Sequence, residues 1–194
     1  MRNLGFVRGW VIGALLLVSC ASGGASNAGR PTSPFLESDG PLFEDGVDLV
    51  GDPSNLSGKW ADDYANELRD RVNRSDLIAL LTVNTVRSDV SPSDHTTHWL
   101  IAQVGDVFKG KFEGELSLAS SDDALGFDSV DRERGNILKR PLVVFAKWAN
   151  DPSTGGVRAH WHLAAGTRDV VDAVRMQIAG GPKATQTEII EHTE

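Results

Sequence analysis

Five stretches between Leu77 and Ala165 constrain this chain more than any other feature. They are LIALLTVNTV (77–86), HWLIAQVGDVF (98–108), ELSLAS (115–120), PLVVFAKWA (141–149) and VRAHWHLAA (157–165). Each is rich in apolar residues, β-branched or aromatic in most cases, which fit a pleated and at least half-buried surface. RSDVSPSDHTT and Asp151-Pro152-Ser153-Thr154-Gly155-Gly156 separate two pairs of them with turn-forming residues. SDDALGFDSVDRERGNILKR, between the third and fourth stretches, is too polar for core and reads as an irregular excursion. A helix is expected on either side of the strands. Trp60, Tyr64 and Leu68 recur every four residues, with Val72 following, so one apolar stripe would pack on a sheet. Ser57 can cap this helix, and Asp62 and Asp63 suit the positive end of its dipole. Thr167 caps a closing helix in which Val170, Val174 and Ile178 share a face, and Gly180-Gly181 ends it. The pattern predicts a mainly β domain, either a small five-stranded closed barrel with one helix before and one after, or an α+β sandwich.

The amino terminus is of a different kind. MRNLGFVRG carries Arg2 and Arg8 and no acid, WVIGALLLV runs apolar from Trp10 to Val18, and Ser19-Cys20 follows. A basic segment, a short apolar segment and a small residue before a cut describe a secretory signal peptide, here residues 1–19. The apolar run is too short for a bilayer-spanning helix, which needs roughly 20 residues. Leu17-Val18-Ser19-Cys20 resembles a bacterial lipobox, and the resemblance covers the first 20 residues. It implies that Cys20 takes a diacylglycerol, that the peptide before it is removed, and that the new amino group is acylated. Ala21 lacks the aspartate that retains such lipoproteins at the inner membrane of enteric bacteria, so the resemblance favours the outer membrane, facing the periplasm or the cell surface. A Gram-positive cell surface stays open.

Cys20 is the sole cysteine, so the rest of the chain cannot be a disulfide scaffold. Removal of Arg2 and Arg8 takes the formal charge from −8 to −10. So acidic a chain is a poor partner for nucleic acid, whose phosphates are bound by Lys and Arg. Residues 20–56 hold the lipidated cysteine and then a stretch rich in Ser, Gly, Pro and Asp with no hydrophobic period, which reads as a flexible linker. The 36 residues from Ala21 to Leu56 would reach roughly 120 Å at full stretch. Pro41-Leu42-Phe43 and Val47 to Val50 could dock on the domain or on a partner, but isolated apolar spots in a linker are the plainer expectation. Residues 57–181 then form one domain, and 182–194 a polar tail.

VGDVFKG (104–110), followed by a short strand, resembles the second strand of the netrin/TIMP-like OB module. LVVFA (142–146) and the closing amphipathic helix extend the resemblance over roughly residues 76–179. It implies an OB-like barrel. The inhibitory function of that family does not carry over, because its amino-terminal cysteine and disulfides have no counterpart here: the one cysteine is more than fifty residues upstream.

Candidate chemistry is sparse. Imidazole suits Zn or Cu, which makes His95, His98, His160 and His162 possible metal ligands. Alternation puts His160 and His162 on one face of their strand, away from Ala159, Trp161 and Leu163, so both are expected to point to solvent. Ser93-Asp94-His95 are sequence neighbours, which is not the spatial geometry of a catalytic triad. No G-x-S-x-G, phosphate loop or H-E-x-x-H is present. Trp99 and Trp148, with Lys109, Lys111 and Arg140, are candidates for a ligand or partner surface, since aromatics can stack on flat ligands. The expectation is a non-enzymatic, membrane-anchored lipoprotein of the cell envelope that binds a protein partner and carries no cofactor beyond its lipid. Binding of an envelope glycan or small ligand is the alternative, with metal binding behind it.

Overall fold

The computed structural model describes residues 32–151 and 155–180. Cys20, the expected signal peptide and the polar tail lie outside the described residues. Strand β1 spans Gly46–Asp48, followed by α1 (Lys59–Arg74), β2 (Leu77–Val90), β3 (Thr96–Lys109) and β4 (Glu115–Ser121). Helix α2 (Phe127–Ile137), β5 (Pro141–Asn150), β6 (Val157–Ala165) and α3 (Arg168–Ala179) complete the order. The described strands form one sheet in the order β1-β6-β5-β2-β3-β4. All neighbours are antiparallel except β1 and β6, where Val47 lies opposite Leu163 in a parallel pair.

All five expected strands are present, and the sheet has six. The sixth is β1, from the segment expected to be linker. The sheet curls into a half-barrel rather than a closed ring, with β1 and β4 as its two edges. The β2–β3 pairing slips register at three places, between Ile78 and Ala79, Ala79 and Leu81, and Val83 and Thr85. Such irregularities bend a strand and raise its local twist, which lets two 14-residue strands wrap the core. Across the inside of the curl, the Trp161 indole N–H on β6 donates to the Ala119 carbonyl on β4 at 2.9 Å.

The inner face of the sheet is covered along its length, and the outer face over β5, β6 and the first half of β2. Inside lies an apolar cluster fed by every strand, including Leu81, Leu100, Leu118, Val144 and Trp161, with Val130 and Ile137 from α2. Outside, α1 and α3 bring Leu68, Val72, Val170 and Val174 onto Ile78, Val143 and Phe145. The segment 121–140, expected to be irregular, contains α2. Its two buried residues, Val130 and Ile137, are seven positions apart and share one face after two turns, so a mostly polar sequence suffices.

The linker expectation fails in its second half. Phe43 is 1% exposed, and Leu42, Val47 and the side chains of Asp39 and Asp45 are buried as well. Residues 33–48 form a strap that packs outside the sheet through Phe43 and turns inward through Val47. Its entry into β1 needs glycine on both sides. A Cβ on Gly126 would sit 2.4 Å from the Gly46 Cα, and one on Gly46 would sit 2.6 Å from the Gly126 Cα. This close approach joins the strap to the start of α2. The α1 stripe is also corrected at one end: Leu68 and Val72 are buried, Tyr64 is half-buried, and Trp60 is 75% exposed because the apolar layer stops short of the first turn. Gly58, not Ser57, precedes α1, whereas Thr167 caps α3 by accepting from the Val170 N–H.

Candidate functional site

The four candidate histidines lie at three places: His95 at a turn, His98 inside the curl, and His160 with His162 on β6. His95 is exposed at the β2–β3 turn, with Nδ1 3.2 Å from the Asp122 carboxylate, which also accepts the Thr96 N–H. His98 faces inward, stacked on Phe127 with ring centroids 4.3 Å apart, and its Nδ1 pairs with the Ser88 hydroxyl at 2.8 Å. Burial pushes the His98 imidazole below its ordinary pKa. His98 Nε2 and the hydroxyl of Ser120, its register partner on β4, are buried without hydrogen-bond partners among the described residues. Among those residues, no group of three or more His, Cys, Asp or Glu has the geometry to hold a metal ion.

His160 and His162 do share a face of β6, but that face is not solvent. The strap lies over it. His160 stacks on Phe35 at 4.0 Å and approaches Asp45 at 3.4 Å. His162 is 2% exposed, lies 3.4 Å from the Glu44 carboxylate and packs against Phe145. Burial holds His162 below its ordinary pKa. Sequence alternation gave the right face but not what covers it.

The acids of the strap meet bases of the domain. Asp39 pairs with Arg74 at 2.7 Å and lies 3.8 Å from the buried Lys147, and its carboxylate accepts the Leu36 N–H. Burial alone would raise the Asp39 pKa; the Leu36 N–H, Arg74 and Lys147 together hold it below the usual value. Asp45 accepts from the Trp161 N–H at 2.9 Å and from Arg158 at 2.6 Å. Its φ of 56° is left-handed, a conformation that aspartate tolerates better than most residues. Arg71 reaches the Leu42 carbonyl through Nε. None of these pairs was legible in sequence, since the acids and bases are dozens of residues apart.

The expected aromatic and basic surface is not one surface. Trp148 is buried in the inner core. Lys109 donates to the Val72 and Asn73 carbonyls at 2.8 and 3.0 Å, closing the C-terminus of α1, and burial lowers its pKa. Lys111 is exposed in the turn before β4, and Arg140 is exposed at the start of β5. Trp99 borders a cleft of ligand size, and Arg140 borders a separate pocket on the other side of the fold from it. That cleft, of about 300 Å³, runs between β4 and the start of β6. Half-buried Trp99 lies beneath the Arg87 guanidinium, 5.8 Å from the ring centre. Thr97, Ser117 and Ser121 add hydroxyls, and Asp151 and Arg158 add one charge of each sign. No protein-family model matches the chain, and no curated protein matches it.

Proposed function

We propose that this chain is a non-enzymatic, lipid-anchored binding module of the cell envelope. Cys20 carries the lipid, and the domain presents a partly open, OB-like half-barrel to a protein partner. The observation that carries the reading is Leu17-Val18-Ser19-Cys20, placed directly behind a basic start and a short apolar run. The domain supports it by how its reactive groups are spent. His98, His162, Asp39, Asp45 and Lys109 each join separate elements, which is the work of a scaffold. The strand order β6-β5-β2-β3-β4, with Trp161 bridging β6 to β4, supports the barrel-like reading.

The strap alters what the anchor does. With residues 33–48 packed on the domain, only 21–32 remain as tether, roughly 40 Å at full stretch instead of roughly 120 Å. A short tether holds the domain close to the bilayer and raises its effective concentration against proteins there. The outer membrane is the proposed location, from Ala21. Metabolic labelling with a fatty-acid analogue tests the anchor. The wild-type chain takes up label and is shortened, whereas Cys20→Ala takes up none and stays full length; equal labelling of both ends the proposal. Cross-linking and pull-down from membranes then identifies the partner.

A second reading, binding of an envelope glycan, is favoured by one observation: the cleft at Trp99. An aromatic platform beside three hydroxyls and a charge of each sign has the mix of faces and hydrogen-bonding groups that a sugar requires. Retention on purified envelope glycan, lost in Trp99→Ala, supports it. Equal retention of the two proteins removes it.

A further inference from the structure

A different pocket, of about 300 Å³, lies where the residues just after the strap, the end of α2 and the β6–α3 turn meet. Leu49, Pro141, Leu142 and Ala165 give it apolar walls. Its polar edge is Asn136 and Arg140, and no carboxylate lines it, in a chain whose net charge is −8. The Arg140 guanidinium is exposed and has no ion-pair partner among the described residues. The pocket therefore joins an apolar hollow to a single unpaired cation.

Its walls are clamped by backbone. Gly166 donates to the Pro141 carbonyl at 3.0 Å, and a Cβ on Gly166 would come within 2.4 Å of that oxygen. The Thr167 hydroxyl donates to the Gly51 carbonyl at 2.6 Å, which ties the segment after β1 to the start of α3. Lys139, just before Arg140, has φ of 57°, a left-handed conformation that costs energy for a long side chain. Its N–H donates to the Val83 carbonyl at 2.9 Å, which fixes the turn. The turn that leads into Arg140 is thus held by a backbone hydrogen bond, and the hollow is formed without a ligand.

We propose that this pocket binds a medium-chain aliphatic monocarboxylate, with its chain on Leu49, Pro141, Leu142 and Ala165 and its carboxylate on Arg140. The planar guanidinium matches a carboxylate in a two-point pair. A cavity of roughly 150 Å³ accepts benzene, so one about twice that size suits a chain of about 8–12 carbons. A dianionic head such as phosphate would ask for more than one cation.

Titration calorimetry of the full chain, made without lipidation, tests this with decanoate and with 1-decanol. Decanoate binds one to one, and 1-decanol binds about fivefold more weakly, because an exposed ion pair adds only modestly to the burial of the chain. Arg140→Gln brings decanoate to the level of the alcohol. Ala165→Leu fills the hollow and abolishes both, with Leu49→Phe as a second filling variant if the first lowers the melting temperature. Equal affinity for acid and alcohol, binding untouched by filling, or no saturable binding at millimolar decanoate overturns the proposal. So does tighter binding of a peptide ending in Leu, which would make the pocket a reader of protein C-termini.

Discussion

The two faces of the sheet are built from different materials, the inner one buried along every strand and the outer one covered mainly over β5, β6 and the first half of β2. The inner face is almost wholly apolar: Leu81, Leu100, Leu118, Val144 and Trp161 meet Val130 and Ile137 of α2. Its few polar groups include the Trp161 indole, paired with Ala119, and the incompletely paired His98 and Ser120. The outer face mixes an apolar layer from α1, α3 and Phe43 with buried charge, Asp39 against Arg74 and Lys147, and with the buried imidazole of His162 beside Glu44. The inner face is sealed by a helix that belongs to the domain. The outer face is sealed partly by a strap leading back toward Cys20. A buried charge is costly unless its partner stays in place, so the outer face depends on the strap in a way the inner face does not.

Removing the strap is the strongest test of that difference. A chain beginning at Ser57 loses Phe43, Val47, Asp39 and Asp45 together, leaving Lys147 without its carboxylate and β6 without β1. It is expected to lose cooperative unfolding in denaturant, whereas a chain beginning at Thr32 keeps it. Similar midpoints for the two would show the strap to be an accessory.

Single substitutions then separate the faces. Trp161→Ala opens a large cavity inside the curl and should cost about 3–5 kcal/mol, read from urea midpoints. Asp39→Ala removes one partner of a charge cluster whose Arg74 is partly exposed, so about 2–3 kcal/mol is expected, below the range for fully buried pairs. If Asp39→Ala were neutral, the charges of the outer face would be incidental to it.

Acid acts on both faces through histidine. Burial lowers the pKa of His98 inside and of His162 outside. The unfolded chain titrates these groups near the ordinary value of about 6.5, so below that pH it binds protons that the folded chain refuses. Their contribution to stability is full above about pH 6.5 and falls as the pH drops below it. Melting temperatures from pH 7.5 to 5 should decline, and His162→Asn should flatten the decline in part, leaving the share of His98. An unchanged slope in His162→Asn would assign the whole effect to the inner face.

The smallest effect is expected at the edge of the outer layer. Trp60 is largely exposed at the start of α1, so Trp60→Ser should move stability by less than about 0.5 kcal/mol. A larger loss would mean that the outer apolar layer extends a full turn beyond Tyr64.

Several features were fixed by local sequence. Strands β2 to β6 and helices α1 and α3 follow from residue type, period and turn chemistry, because these act over a few neighbouring positions. The inward phase of β6 followed in the same way: alternation alone sorted Ala159, Trp161 and Leu163 from the two histidines. The lipobox resemblance is likewise local, confined to the residues before and at Cys20. Tertiary structure decided the rest. Phe43 and Val47 belong to no periodic element, so only their docking reveals them as core. The polar helix α2 needs just two apolar residues because it touches the sheet along one narrow face. The burial of His162, the pairing of Asp39 with Lys147 and the Trp99 cleft join residues far apart in the chain. Long-range pairing leaves no mark on local composition, since a carboxylate that will be buried on a lysine looks like one bound for solvent until the chain closes around it.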